Sequence, residues 1–194
     1  MKYYEEFARS GHSFEERIGK PEEDDAAMGR IALAFSLLED AVCELVHFLI
    51  GTDASVSLVI TAGLSFRQRL DLFAGLARHH LGIAPEEEAV ARLGEILGVC
   101  RQAEELRNTY MHSSYSLDRG TRTKTRIHGS QGLRVRTEQV DSGLLLDVAD
   151  FITHTAMTCQ GVPVDLGFAD RAFSSGDTVT YFRGDVIIGT SKYL

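Results

Sequence analysis

Three residues near the middle of the chain have side chains suited to chemistry on a phosphate. In "EELRNTYMHSSY", residues 104–115, Arg107 is followed at once by Asn108 and, five positions on, by His112. Histidine exchanges a proton near neutral pH, and arginine holds two phosphate oxygens while stabilising the charge that develops on them. Such a pair suits phosphoryl transfer without a metal. Asn108 and His112 lie four residues apart and share one flank of a helix, but Arg107 and His112 point in directions that differ by roughly 140°. One unbroken helix does not aim both at a single ligand. A helix that loosens after Met111, a flexible arginine, or two motifs meeting across a two-fold axis resolves the conflict.

The element that carries the motif is a helix expected from about Pro85 to Met111. It buries Leu93, Ile96, Leu97, Cys100 and Ala103, and at roughly 100° per residue Arg107 falls near the middle of the same stripe. An arginine stays charged at any working pH, so on an apolar stripe it needs a carboxylate, a ligand or another chain. The plainer reading is a structural salt bridge with Glu39, which borders the apolar face of an earlier helix among Phe35, Val42 and Val46. His112 taken alone is also what a helix dipole favours at an exposed C-terminal end.

The other elements follow from periodicity. Residues 22–50 form a long helix with acids at its start and Ile31, Phe35, Leu38, Val42, Leu45 and Leu49 on one face. Leu33, Leu37 and Phe48 widen that face, which fits a second partner such as another protomer. A second helix is expected over 57–81, with Val59, Gly63, Phe66, Leu70, Phe73, Ala77 and Leu81 on one face and Gly82 as terminator. A last helix is expected from about Thr137 to Cys159, capped by Gly161. Between the motif and that helix, "TRTKTRIHGSQGLRVRT" alternates as a β-hairpin does. Pairing Ile127 with Leu133 places Arg126 opposite Arg134 and Lys124 opposite Arg136. Like charges facing each other are unfavourable unless something anionic covers them. Arg122, Lys124, Arg126, Arg134 and Arg136 are therefore candidate RNA-phosphate contacts, the plainer reading being an edge ribbon kept soluble by charge.

The chain of 194 residues, 44% of them hydrophobic, suffices for one domain with appendages. The expected division is an N-terminal extension at 1–24, a helical domain at 25–161 with the hairpin inserted at 118–136, and a short β-like tail at 162–194. A net charge of -8 argues against the whole surface binding nucleic acid, yet six of the 20 Lys and Arg, against one of the 28 acids, fall between Asp118 and Arg136. The apolar runs are broken by acids short of a membrane span, so a cytoplasmic protein without membrane attachment is expected. Cys43, Cys100 and Cys159 form neither a disulfide framework nor a zinc pattern and read as core residues. His79 and His80, side by side on a helix, do not make a metal pair. No metal or cofactor is implied.

The segment "RNTYMHS" ends the third helix of a mainly α chain and is followed by an insertion and one more long helix. It resembles the Arg-Asn-x3-His-Ser motif of HEPN domains, and "LSFRQRLDLF" is similar to the matching helix of some members. The resemblance spans roughly residues 25 to 160 by layout. It implies a four-to-five-helix bundle, commonly a homodimer. Many members are metal-independent endoribonucleases of prokaryotic toxin-antitoxin and antiviral systems, with an antitoxin protein as partner; others are non-catalytic binding modules. Carried over, Arg107 neutralises the scissile phosphate, His112 is the general acid or base, and Asn108 orients one of them or contacts RNA. The substrate's 2′-hydroxyl attacks, leaving a 2′,3′-cyclic phosphate. Glu39 supports Arg107, while Tyr110 is a packing residue at the stripe's edge and Ser113 closes the helix end.

Overall fold

The computed structural model describes residues 21–51, 54–118, 121–128, 134–175, 178–183 and 185–192. Within them the chain is mainly α. Five helices are described: α1 (Pro21–Ile50), α2 (Ala54–Thr61), α3 (Phe66–Leu81), α4 (Glu87–Met111) and α5 (Ser142–Asp165). Strands β1 (Ser114–Asp118), β2 (Thr121–His128) and β3 (Arg134–Val140) form an antiparallel sheet between α4 and α5. Strands β4 (Arg171–Ser175), β5 (Thr178–Arg183) and β6 (Val186–Lys192) form a second one after α5. Positions 1–20 of the expected N-terminal extension lie outside the described residues, and 21–24 begin α1. No described helix is long and apolar enough to cross a membrane.

The described chain divides into two compact units. The first takes the described residues of Met1–Ser36 and Gln102–Thr153, and the second Leu37–Arg101 with those of His154–Leu194. In the first unit, the buried apolar residues include Ile31 and Phe35 of α1, Leu106 and Tyr110 of α4, Val140 of β3, and Leu145, Val148, Phe151 and Ile152 of α5. In the second, α1 continues the same stripe with Leu38, Val42, Leu45 and Leu49, all buried as their spacing requires. Tyr181 and Val179 of β5 are buried there against Ala169, Phe48 and Val164. The hydroxyl of Tyr181 donates to Gln160 O at 2.9 Å, so the tail expected as a hairpin is a three-stranded sheet anchored on its own unit.

Three helix boundaries differ from the periodic reading, each for a local reason. The single helix expected over 57–81 is broken at 62–65. Ser65 and Gln68 form a capping box: Gln68 N donates to Ser65 Oγ at 3.4 Å and Ser65 N to Gln68 Oε1 at 2.9 Å. That pairing satisfies two donors a new helix start leaves open. Ahead of the break α2 turns its apolar residues outward, and Val59, expected inside, is 80% exposed. Residues 137–140, expected as helix, instead extend β3 to the pair Val140–Arg122. Helix α5 begins only where Asp141 Oδ1 accepts from Leu144 N at 2.8 Å. It then runs through Gly161 and Pro163, and the chain turns at Gly167, whose φ of 70° lies in the left-handed region.

Candidate functional site: an arginine, an asparagine and a histidine at the end of α4

The buried apolar positions of α4 in this region are Ala103, Leu106 and Tyr110. Leu106 takes the core place that strict spacing assigned to Arg107, which sits half-buried at the border of the stripe. Its guanidinium lies over the Phe35 ring, 5.0 Å from the centroid, an arrangement in which the ring face attracts the cation. Nη1 donates both its protons, to Asn108 Oδ1 and to His112 Nε2, each at 2.9 Å. Among the described residues Nε and Nη2 have no hydrogen-bond partner, and no carboxylate lies within ion-pair distance. Glu39, the expected partner, belongs to the second unit. Arg107 is thus held at one end by two neutral acceptors and an aromatic face.

The geometric conflict between Arg107 and His112 is resolved inside one chain. Helix α4 ends at Met111, and His112 follows it in a turn, its N–H donating to Asn108 O at 3.3 Å. From there the exposed ring folds back to the long arginine side chain. No second chain is needed to bring the two together. A guanidinium has no acceptor, so the His112 nitrogen facing it is unprotonated and the ring proton sits on Nδ1. A cation that grips oxyanions, a basic nitrogen and an orienting amide therefore meet at one helix end.

Family models, curated proteins and solved structures all fail to match this chain. The turn carrying His112 is fastened from both sides. Ser113 Oγ donates to Thr109 O at 2.6 Å, the helix-closing role expected for it, and the Tyr115 hydroxyl donates to Tyr110 O at 2.5 Å. Tyr110 itself is a buried packing residue, with Lys124 Nζ 4.0 Å from its ring centroid. Tyr115 was not singled out from the sequence; its one visible signal is the alternation of "SYSLD" directly after the helix.

Burial pushes the Tyr115 phenol from the usual 10.0 up to about 12, Glu138 adding to the shift and Arg122 opposing it. The raised folded value means that its stabilising contribution is complete below pH 10.0 and is lost as pH rises through about 12. The denaturant midpoint is expected to fall across that window. In Tyr115→Phe that fall is shallower, and the tyrosinate absorbance that rises near pH 12 in wild type is smaller.

The basic stripe does not act as one surface. Strand β1 pairs with β2, and β2 with β3, in the register Lys124–Glu138, Arg126–Arg136 and His128–Arg134. This is two residues away from the expected pairing of Lys124 with Arg136 and Arg126 with Arg134. A slip of two keeps every side chain on its face but sets Glu138 opposite Lys124. Lys124, only 3% exposed, forms an ion pair with Glu138. Arg122, 12% exposed, has its Nε 3.3 Å from Asp24 Oδ2 and its Nη2 2.7 Å from Asp25 Oδ1. Asp24 is buried, which raises its carboxyl pKa although Arg122 pulls it down, and its Oδ1 has no hydrogen-bond partner among the described residues. Arg122 and Lys124 are therefore fasteners of the sheet within the first unit. Arg136 is 78% exposed, with its Nε 3.6 Å from Glu138 Oε2. The side chains of Arg126 and Arg134 lie outside the described residues.

In the second unit, Cys100 and Cys159 are buried with sulfurs 3.8 Å apart, and that contact together with burial holds the Cys100 thiol well above its ordinary range. They are unreactive core thiols. Cys43 is half-buried and its pKa is likewise raised by burial. Among the described residues no group of three or more His, Cys, Asp or Glu is placed to hold a metal ion.

Proposed function

We propose that this chain is a metal-independent endoribonuclease of the HEPN type. The observation that carries the reading is the convergence of Arg107, Asn108 and His112 within one chain, with Nη2 of the guanidinium, without a hydrogen-bond partner among the described residues, available to a phosphate oxygen beside Nη1. In this mechanism the 2′-hydroxyl attacks the adjacent phosphorus and its proton passes to His112 Nε2. The P–O5′ bond breaks, and the leaving oxygen takes a proton from water while His112 later returns its own to solvent. The products are a 2′,3′-cyclic phosphate and a 5′-hydroxyl. Arg107 stabilises the charge on the phosphorane oxygens, and Asn108 holds the guanidinium in place. Arg136, with Arg126 and Arg134 beside it on the ribbon, tracks the RNA backbone. A homodimer carrying two such sites, serving as a toxin or defence protein under control of an antitoxin, is the setting the resemblance supplies.

Structured RNA incubated with the purified protein in excess chelator tests this directly. Fragments bearing a cyclic phosphate and a 5′-hydroxyl are expected. Fragments ending in 3′-hydroxyl and 5′-phosphate, or cleavage that stops on adding chelator, would overturn the mechanism.

A second reading, a non-catalytic HEPN-type dimeric module that binds nucleic acid or a protein partner, is favoured by the engagement of His112 Nε2 with Arg107. It predicts RNA retention without cleavage. In that case Arg136→Ala weakens binding evenly across RNA sequences and lowers the salt dependence by about one counterion.

A further inference from the structure

The contact between Arg107 and His112 has a consequence for when the site acts. Both protons of Arg107 Nη1 are committed, one to Asn108 Oδ1 and one to His112 Nε2. In the neutral ring Nε2 is the only nitrogen with a free lone pair, so as long as it accepts from Arg107 it cannot take a proton from a substrate hydroxyl. A phosphodiester oxygen is a charged acceptor and forms the stronger bond with a guanidinium than a neutral imidazole does. His112 is exposed and stands in the turn beyond the end of α4, so its ring has room to leave. Arg107, by contrast, is seated on Phe35 and tied to Asn108, so it keeps its position when the ring departs.

We propose that the Arg107–His112 hydrogen bond is a resting latch that a phosphodiester opens. An anionic oxygen takes over the Nη1 proton, and the imidazole is released with its basic nitrogen free. The base is thereby armed only when a phosphate is in place. The identity of the opener as a phosphodiester rests on the ribonuclease reading; the latch itself rests on the two hydrogen bonds of Nη1.

Long-range 15N–1H correlation spectra of uniformly labelled full-length protein read both ring nitrogens, with the His112 signals assigned by their loss in His112→Gln. In the free protein Nδ1 is expected to be protonated and Nε2 to show the shift of an accepting nitrogen. Titration with dimethyl phosphate, against chloride at matched ionic strength, is expected to move Nε2 saturably. In Arg107→Lys, which keeps the charge but loses the fork, the free-state tautomer preference and the saturable shift both disappear. A free protein whose Nε2 carries the proton overturns the latch. So does a His112 ring that stays unmoved while the Arg107 side-chain signals saturate with dimethyl phosphate. RNA cleavage is scored separately: a latch that opens on a protein that never cuts RNA refutes the enzymatic reading alone, and cleavage with an unmoved ring refutes the latch alone.

Discussion

Replacing Arg107 with alanine is expected to slow single-turnover RNA cleavage by roughly 100- to 1,000-fold, the usual loss when one preorganised donor to a developing oxyanion is removed. His112→Ala removes proton transfer and is expected to cost roughly 100- to 10,000-fold. Arg107 is half-buried and His112 exposed, and neither leaves a buried charge behind when truncated, because no carboxylate pairs with Arg107 among the described residues. Unfolding midpoints should therefore stay near wild type, which separates a chemical defect from a folding one. Arg107→Lys should recover little of the rate, since a point charge does not replace a planar fork. Cleavage that persists in both alanine variants would sink the site assignment.

The second large effect belongs to the sheet that braces the helix end. Glu138→Ala leaves Lys124, only 3% exposed, without its ion pair. Loss of one partner of a buried pair costs about 3–5 kcal/mol, and since Glu138 is 31% exposed water offsets part of that, giving about 2–3 kcal/mol here. Urea unfolding measures it. A double replacement, Lys124→Met with Glu138→Leu, removes both charges and should regain most of the loss. If Glu138→Ala is as stable as wild type, the pair does not fasten the sheet. Lys124 also sits against the Tyr110 ring, and Tyr110 O receives the Tyr115 hydroxyl. Glu138→Ala should consequently reduce cleavage more than Arg136→Ala, although Arg136 is far more exposed.

Much of the helical layout was legible because burial leaves a period in the sequence. Ile31, Phe35, Leu38, Val42, Leu45 and Leu49 recur every three or four residues, and each is buried. The break between α2 and α3 was legible in principle as well, since Ser65 and Gln68 stand at capping-box spacing in "LSFRQ". There the apolar periodicity on both sides of the break outweighed a local signal worth only two hydrogen bonds. The extension of β3 to Val140 was hidden for another reason. Strand pairing is non-local, and nothing near Thr137 states that Arg122 lies opposite Val140.

The side chains at the end of α4 divide in the same way. Which residues have side chains suited to chemistry on a phosphate, and that a guanidinium and an imidazole five positions apart cannot share a target on a strict helix, follow from residue type and helical phase. The sequence also determined that six basic residues crowd one ribbon. What the tertiary structure alone decided is where those charges go. Arg122 turns to Asp24 and Asp25, Lys124 to Glu138, and Arg107 to Phe35, Asn108 and His112. Residue type states that a charge must be compensated. Which of many acceptors compensates it depends on distances of a few ångströms between segments that can be nearly a hundred residues apart, and only the packed chain sets those.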